Sequence, residues 1–112
     1  MTAFINRVGG DVELAREMAL LFIPDAVRLL SAIRSAANAG DAERLRQEAH
    51  ALKGAAGNFD AARTVAGAQE LELMGKSGDL TRAGAVIDQL QIDTVPLIEA
   101  LRTFGGAPAC AS

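Results

Sequence analysis

Apolar residues recur along most of this chain at spacings of three, four or seven, which is the repeat of an amphipathic helix. Four such stripes follow one another, and each is preceded by an aspartate that is suited to capping a helix. These aspartates are Asp11, Asp41, Asp60 and Asp79. The first helix ends at Gly40, the second covers about 42–57, the third roughly 61–74, and the fourth follows Asp79.

The four stripes also predict the core of the protein. Their members are Ala15, Met18, Phe22, Leu29 and Ile33, then Leu45, Ala49, Leu52 and Ala56, then Ala61, Val65, Ala68 and Leu71, and finally Leu80, Ala83, Ile87, Leu90 and Ile98. Because only 4% of the residues are aromatic, this core consists mainly of small aliphatic side chains that suit closely packed helices. Short connections favour antiparallel neighbours, so we predict an all-α, antiparallel up-and-down four-helix bundle.

Some segments interrupt or flank this pattern. Pro24 predicts a kink or two abutting helices, and Pro96 predicts a kink in the fourth helix. The run 75–78 (Gly-Lys-Ser-Gly) is typical of a turn. Apolar residues within 1–10 predict a short extra N-terminal helix, so that 1–104 form one bundle domain and 105–112 a disordered tail.

The overall composition excludes several classes of function. A net charge of -3 argues against a nucleic-acid interface, which needs clustered basic residues. No apolar run reaches the roughly 18 residues that span a bilayer, and no signal peptide is recognisable. Cys110 is the single cysteine, which rules out an internal disulfide and, with a single histidine, disfavours a zinc or haem site. These features favour a cytoplasmic protein that binds no metal.

The single histidine, His50, is predicted to lie on the exposed face of the second helix. Each residue turns the helix by about 100°, so the second stripe spans about 40° on either side of Leu45, whereas His50 lies at roughly 140°. Arg46 and Gln47 precede His50 by one turn on that face, and Lys53, Gly54 and Gly57 follow it.

The residues after His50 suggest a role for this face. Glycine inside a helix costs roughly 1 kcal/mol of stability relative to alanine. The presence of Gly54 is explained if it clears space for a partner or a tetrahedral group. Lys53 would attract an anionic phosphoryl group. The alternative is that His50 is a solvated surface residue without a functional role, and that Gly54 and Gly57 serve only close helix packing.

The segment 50–59 (His-Ala-Leu-Lys-Gly-Ala-Ala-Gly-Asn-Phe) resembles the signature of histidine-containing phosphotransfer (HPt) domains. The pair Leu71-Glu72 is similar to the Leu-Glu pair on that family's next helix, and the resemblance covers about residues 4–104. The family usually has glycine where this chain has Asp60, so a slightly altered turn is expected there.

The resemblance implies a phosphorelay intermediate in two-component signal transduction. His50 would accept a phosphoryl group from a receiver-domain aspartate and pass it to another receiver, with Lys53, Gly54 and Gln47 supporting the phosphate and Arg46 and Gly57 facing the partner. Gln47 and Glu72 are further candidates for orienting the imidazole or the phosphate, although surface solvation is the expected role of both.

Partners and cofactors follow from the same resemblance. The partners would be receiver domains of response regulators or a hybrid sensor kinase. The receiver would bring the magnesium, so the chain needs no cofactor of its own. No ATP-binding glycine-rich loop is present. The alternative function is a non-catalytic helical adaptor in which His50 is incidental.

Overall fold

The computed structural model describes residues 9–105, which form four helices. Helix α1 covers Val12–Asn38, α2 covers Ala42–Gly57, α3 covers Ala62–Ser77 and α4 covers Ala83–Gly105. The predicted N-terminal helix, Cys110 and the predicted tail beyond Gly105 lie outside the described residues. Within 9–105 there is no strand, and no helix there has the length and hydropathy needed to cross a membrane.

The helices form the predicted up-and-down bundle. Each helix packs against the next one along the chain, and α1 packs against α4 to close the ring. Side chains of α2 and α3 meet in antiparallel order, because His50 contacts Glu72 whereas Lys53, one turn later, contacts Gln69, one turn earlier. The prediction of an all-α antiparallel bundle is therefore confirmed.

The predicted stripes form most of the core. All four stripe residues of α2 are fully buried, as are Ile33, Leu71 and Ile87. Four stripe residues, Met18, Ala61, Val65 and Leu80, are only partly buried and pack against the edge of the core. At one end, the rings of Phe22 and Phe59 meet with centroids 4.7 Å apart and join α1 to the α2–α3 turn.

Two of the four predicted helix caps are confirmed. Asp11 accepts a hydrogen bond from the backbone N–H of Leu14 and Asp41 accepts one from that of Arg44, both at 3.0 Å, which satisfies N–H groups of the first turn.

The other two predicted caps are wrong. Asp60 occupies a left-handed turn position with φ 54°, so Ala61 stands at the N-cap of α3 without a side-chain cap. Asp79 accepts hydrogen bonds from the backbone N–H and the hydroxyl of Thr81, which organises the turn before α4 instead of capping a helix at Leu80.

The predicted turn at 75–78 is also placed too early. Helix α3 continues through Gly75 to Ser77 and ends at Gly78, whose φ of 82° suits glycine. Pro24 lies within a continuous α1, so the alternative of two abutting helices is wrong. A helix can continue through an internal proline when packing compensates for the missing hydrogen bond.

Candidate functional site

His50 projects from the outer face of α2, as the helical repeat predicts. Its side chain is 64% exposed, whereas the stripe residues on the opposite face are fully buried. The sequence interpretation of His50 as an exposed histidine is therefore confirmed, and what distinguishes it from an ordinary surface histidine is the partner beneath its ring.

That partner is Glu72 of α3. Its carboxylate is 7% exposed, and Oε2 lies 2.9 Å from Nδ1 of His50. Within residues 9–105, Nε2 of His50 makes no hydrogen bond. A carboxylate at Nδ1 favours the tautomer with the proton on Nδ1, which leaves a lone pair on Nε2. The ring thus offers a nucleophilic nitrogen to solvent while its other nitrogen is held.

Lys53 completes the cluster from the next turn of α2. Its Nζ donates a hydrogen bond to Oε1 of Gln69 at 3.0 Å and lies 2.6 Å from Oε1 of Glu72. The contact with Glu72 is an ion pair, so the Lys53 ammonium is the charged neighbour of this buried oxygen.

The charges around Glu72 keep it ionised. The Lys53 ammonium is the main cause that lowers the pKa of Glu72 below its ordinary value, and the contact with His50 lowers it further. Burial alone would raise that pKa, but these two contacts outweigh it. The expectation that Glu72 is a solvated surface residue is therefore wrong.

The remaining predicted site residues lie on α2 within two turns of His50. Gly54 is exposed, and a Cβ added at Gly54 or Gly57 would meet nothing within 4 Å, so neither glycine serves close helix packing. Arg46 and Gln47 both donate to the carboxylate of Glu43 instead of approaching His50.

Of the cluster, Gln69 escaped the sequence prediction, and Glu72 was predicted only as a secondary candidate for orienting the imidazole. The available signal was the spacing of three between Gln69 and Glu72 on α3, which puts them on one helix face, but their pairing with α2 depends on helix register.

Within residues 9–105, no group of three or more His, Cys, Asp or Glu side chains is arranged to hold a metal ion.

Comparisons with known proteins indicate the family of the chain. No curated protein sequence matches the chain. The crystal structure of histidine-containing phosphotransfer protein B from Pseudomonas aeruginosa is similar, with 30% sequence identity and a TM-score of 0.75 over 79% of this chain and 76% of that chain. The family profile of the Hpt domain matches residues 17–103. Since this match spans most of the sequence, the chain belongs to the Hpt domain family.

Proposed function

We propose that His50 accepts a phosphoryl group through Nε2 from a receiver-domain aspartate and passes it to the aspartate of a second receiver. Membership of the Hpt family makes the chain a histidine phosphotransfer intermediate of a phosphorelay. His50 is the single histidine in the sequence. The observation that supports the assignment most directly is an exposed ring whose Nδ1 lies 2.9 Å from a buried carboxylate.

The proposed acceptance step begins with the lone pair of Nε2. It attacks the phosphorus of the phosphoaspartate, the N–P bond forms, and the P–O bond to the aspartate breaks so that the carboxylate leaves with its electron pair. The proton on Nδ1 stays in place, and the ring gains positive charge. The ionised Glu72 at Nδ1 stabilises that charge as it develops.

The donation step reverses these changes. The carboxylate of the second receiver attacks the phosphorus, and the imidazole leaves as a neutral ring with its lone pair again on Nε2. Because the same proton remains on Nδ1 throughout, Glu72 supports both directions of transfer. Its proposed role is that of a positioning residue that fixes the tautomer and orientation of His50.

Lys53 supplies the positive charge expected beside a phosphoryl group. Its ammonium lies one turn from His50 and is held at rest by Gln69 and Glu72. A phosphoryl group on Nε2 would offer the Lys53 ammonium a second anionic contact beside Glu72, which would stabilise the phosphorylated state.

The surroundings of His50 support the approach of a receiver. Gly54 leaves the adjoining turn of α2 without a side chain, and a Cβ there would meet open space. Arg46 and Gln47, both bonded to Glu43, form a polar rim that a receiver would contact, and Gly57 continues the open face. We propose that the receiver brings the magnesium ion and that transfer takes place in the cytoplasm.

Phosphoryl transfer from a labelled receiver tests the proposal. The protein is mixed with a receiver domain carrying a radiolabelled aspartyl phosphate, and label on each chain is followed over time. The wild-type chain is expected to gain label, and a His50→Gln variant that folds normally is expected to gain none. Equal labelling of both chains, or of neither across a panel of receivers, would favour the non-catalytic adaptor.

A further inference from the structure

We propose that Gly75 is a positioning residue for phosphotransfer, because it sets the spacing between α2 and α3 at which Glu72 reaches His50. This inference rests on the proposed function of His50. Gly75 lies on the same face of α3 as Glu72, one turn further along, and it is buried in the helix interface.

The backbone of α2 leaves no room for a side chain at this position. A Cβ on Gly75 would lie 2.7 Å from the carbonyl oxygen of Ala42, 2.7 Å from Cβ of Arg46 and 2.8 Å from the backbone nitrogen of Arg46. Two of these three atoms belong to the backbone, so a change of side-chain rotamer cannot relieve the contact. Only glycine allows the two helices to approach this closely.

The spacing matters because a small increase in it is enough to break the contact between Glu72 and Nδ1 of His50. Relieving a 2.7 Å contact to the 3.4 Å of ordinary van der Waals contact moves the helices apart by about 0.7 Å at Gly75. The same shift one turn away would lengthen the 2.9 Å contact between Glu72 and Nδ1 of His50 to about 3.6 Å, which is no longer a hydrogen bond.

Two other helical glycines separate this effect from general destabilisation. Gly67 also lies in α3 but faces α4, where an added Cβ would meet Cδ1 of Leu90 at 3.2 Å. Gly84 lies in the first turn of α4 and is exposed, and an added Cβ there would meet nothing within 4 Å. A methyl group at Gly67 therefore strains a different interface, and one at Gly84 strains none.

The test compares Gly75→Ala, Gly67→Ala and Gly84→Ala with the wild-type chain. Ring ¹⁵N spectra report the tautomer of His50 without ambiguity, since it is the single histidine. Gly75→Ala should move these signals from a fixed Nδ1–H tautomer toward a solvated ring. The transfer rate at saturating phosphorylated receiver should fall roughly 10- to 100-fold, with little change in receiver affinity.

The controls define the result that would overturn the inference. Gly67→Ala should lower stability but keep the wild-type ring signals, and Gly84→Ala should change neither. A folded Gly75→Ala variant with wild-type ring signals and transfer rate would overturn the proposed role of Gly75. If the wild-type chain accepts no phosphoryl group, the proposed function fails, whereas the ring signals still test the spacing.

A second variant keeps the test decisive if Gly75→Ala does not fold. Glu72→Asp withdraws the carboxylate by one methylene while leaving the helix interface at Gly75 unchanged. Glu72→Asp should show the same change in the ring ¹⁵N signals of His50 and the same fall in transfer rate. Wild-type behaviour of Glu72→Asp would mean that phosphotransfer tolerates a longer distance between this carboxylate and Nδ1 of His50. The spacing set by Gly75 would then not matter, which also overturns the inference.

Discussion

The buried hydroxyl pair between α3 and α4 gives a quantitative prediction about stability. Thr64 and Thr94 are 1% and 0% exposed, and their Oγ1 atoms lie 2.9 Å apart. Replacing one of them with valine keeps the shape but leaves the other hydroxyl without this partner. Such an unsatisfied buried group costs about 1–3 kcal/mol, with the lower end expected if the hydroxyl turns to a carbonyl oxygen of its own helix.

The double variant Thr64→Val/Thr94→Val removes both polar groups at once. Its free energy of unfolding should lie within about 1 kcal/mol of the wild-type value, because an apolar pair of the same shape replaces a satisfied polar pair. The double-mutant cycle should therefore give a coupling close to the sum of the two single losses, about 2–6 kcal/mol when each single variant loses about 1–3 kcal/mol. The Tm of each single variant should fall by about 4–8 °C for every kcal/mol lost from the free energy of unfolding.

Urea unfolding followed by circular dichroism measures these differences. Thr103→Val is the matched control, because its exposed hydroxyl bonds to the carbonyl oxygen of Glu99 on the surface of α4, and its loss should change stability by less than about 0.5 kcal/mol. A double variant that lost as much stability as the two single variants combined would show that the two hydroxyls are not coupled, which contradicts the prediction.

Two further predictions concern the cluster beneath His50. Because the folded-state pKa of Glu72 lies below its ordinary 4.5, the stability advantage of the wild type over Glu72→Gln should be full above pH 4.5 and should decline as the pH falls below it. Urea unfolding at a series of pH values checks this, and an equal gap at every pH would contradict it. Lys53→Met should slow phosphoryl acceptance on the order of 10-fold at saturating receiver, because a cation beside the phosphoryl group is lost. Lys76→Met, at an exposed position near the end of α3, is the control and should transfer at the wild-type rate.

The features that follow from local helix geometry were predictable from the sequence. The repeat of Leu45, Ala49, Leu52 and Ala56 fixes which side of α2 is buried, and the exposed position of His50 follows from it. The caps at Asp11 and Asp41 were predictable for the same reason, since a cap depends on residues three positions apart.

The errors at Glu72 and Gly75 share one physical cause. Local reasoning treats a carboxylate as a surface residue and a glycine as a helix breaker. In the bundle, both lie where α3 faces α2, so the partner helix decides their roles: Lys53 and His50 compensate the buried charge, and Ala42 and Arg46 leave no space for a side chain. Such pairings depend on the register between two helices, which a single helix pattern does not specify.

The position of Asp60 adds a second kind of error. Aspartate is a common N-cap, and its place before an apolar stripe favoured that role. The chain instead needs a left-handed residue there to turn from α2 into α3, and aspartate tolerates this conformation better than most residues do. Asp60 thus makes this turn at the position where the resemblance suggests glycine.

The contacts of His50 have a consequence for how this domain can change. Every described partner in the His50, Lys53, Gln69 and Glu72 cluster lies on α2 or α3. Helices α1 and α4 hold this hairpin in place through the core but contribute no hydrogen bond or ion pair to the cluster. We therefore expect substitutions on the outer surfaces of α1 and α4 to leave the contacts of the cluster intact, so these surfaces are suited to redesign.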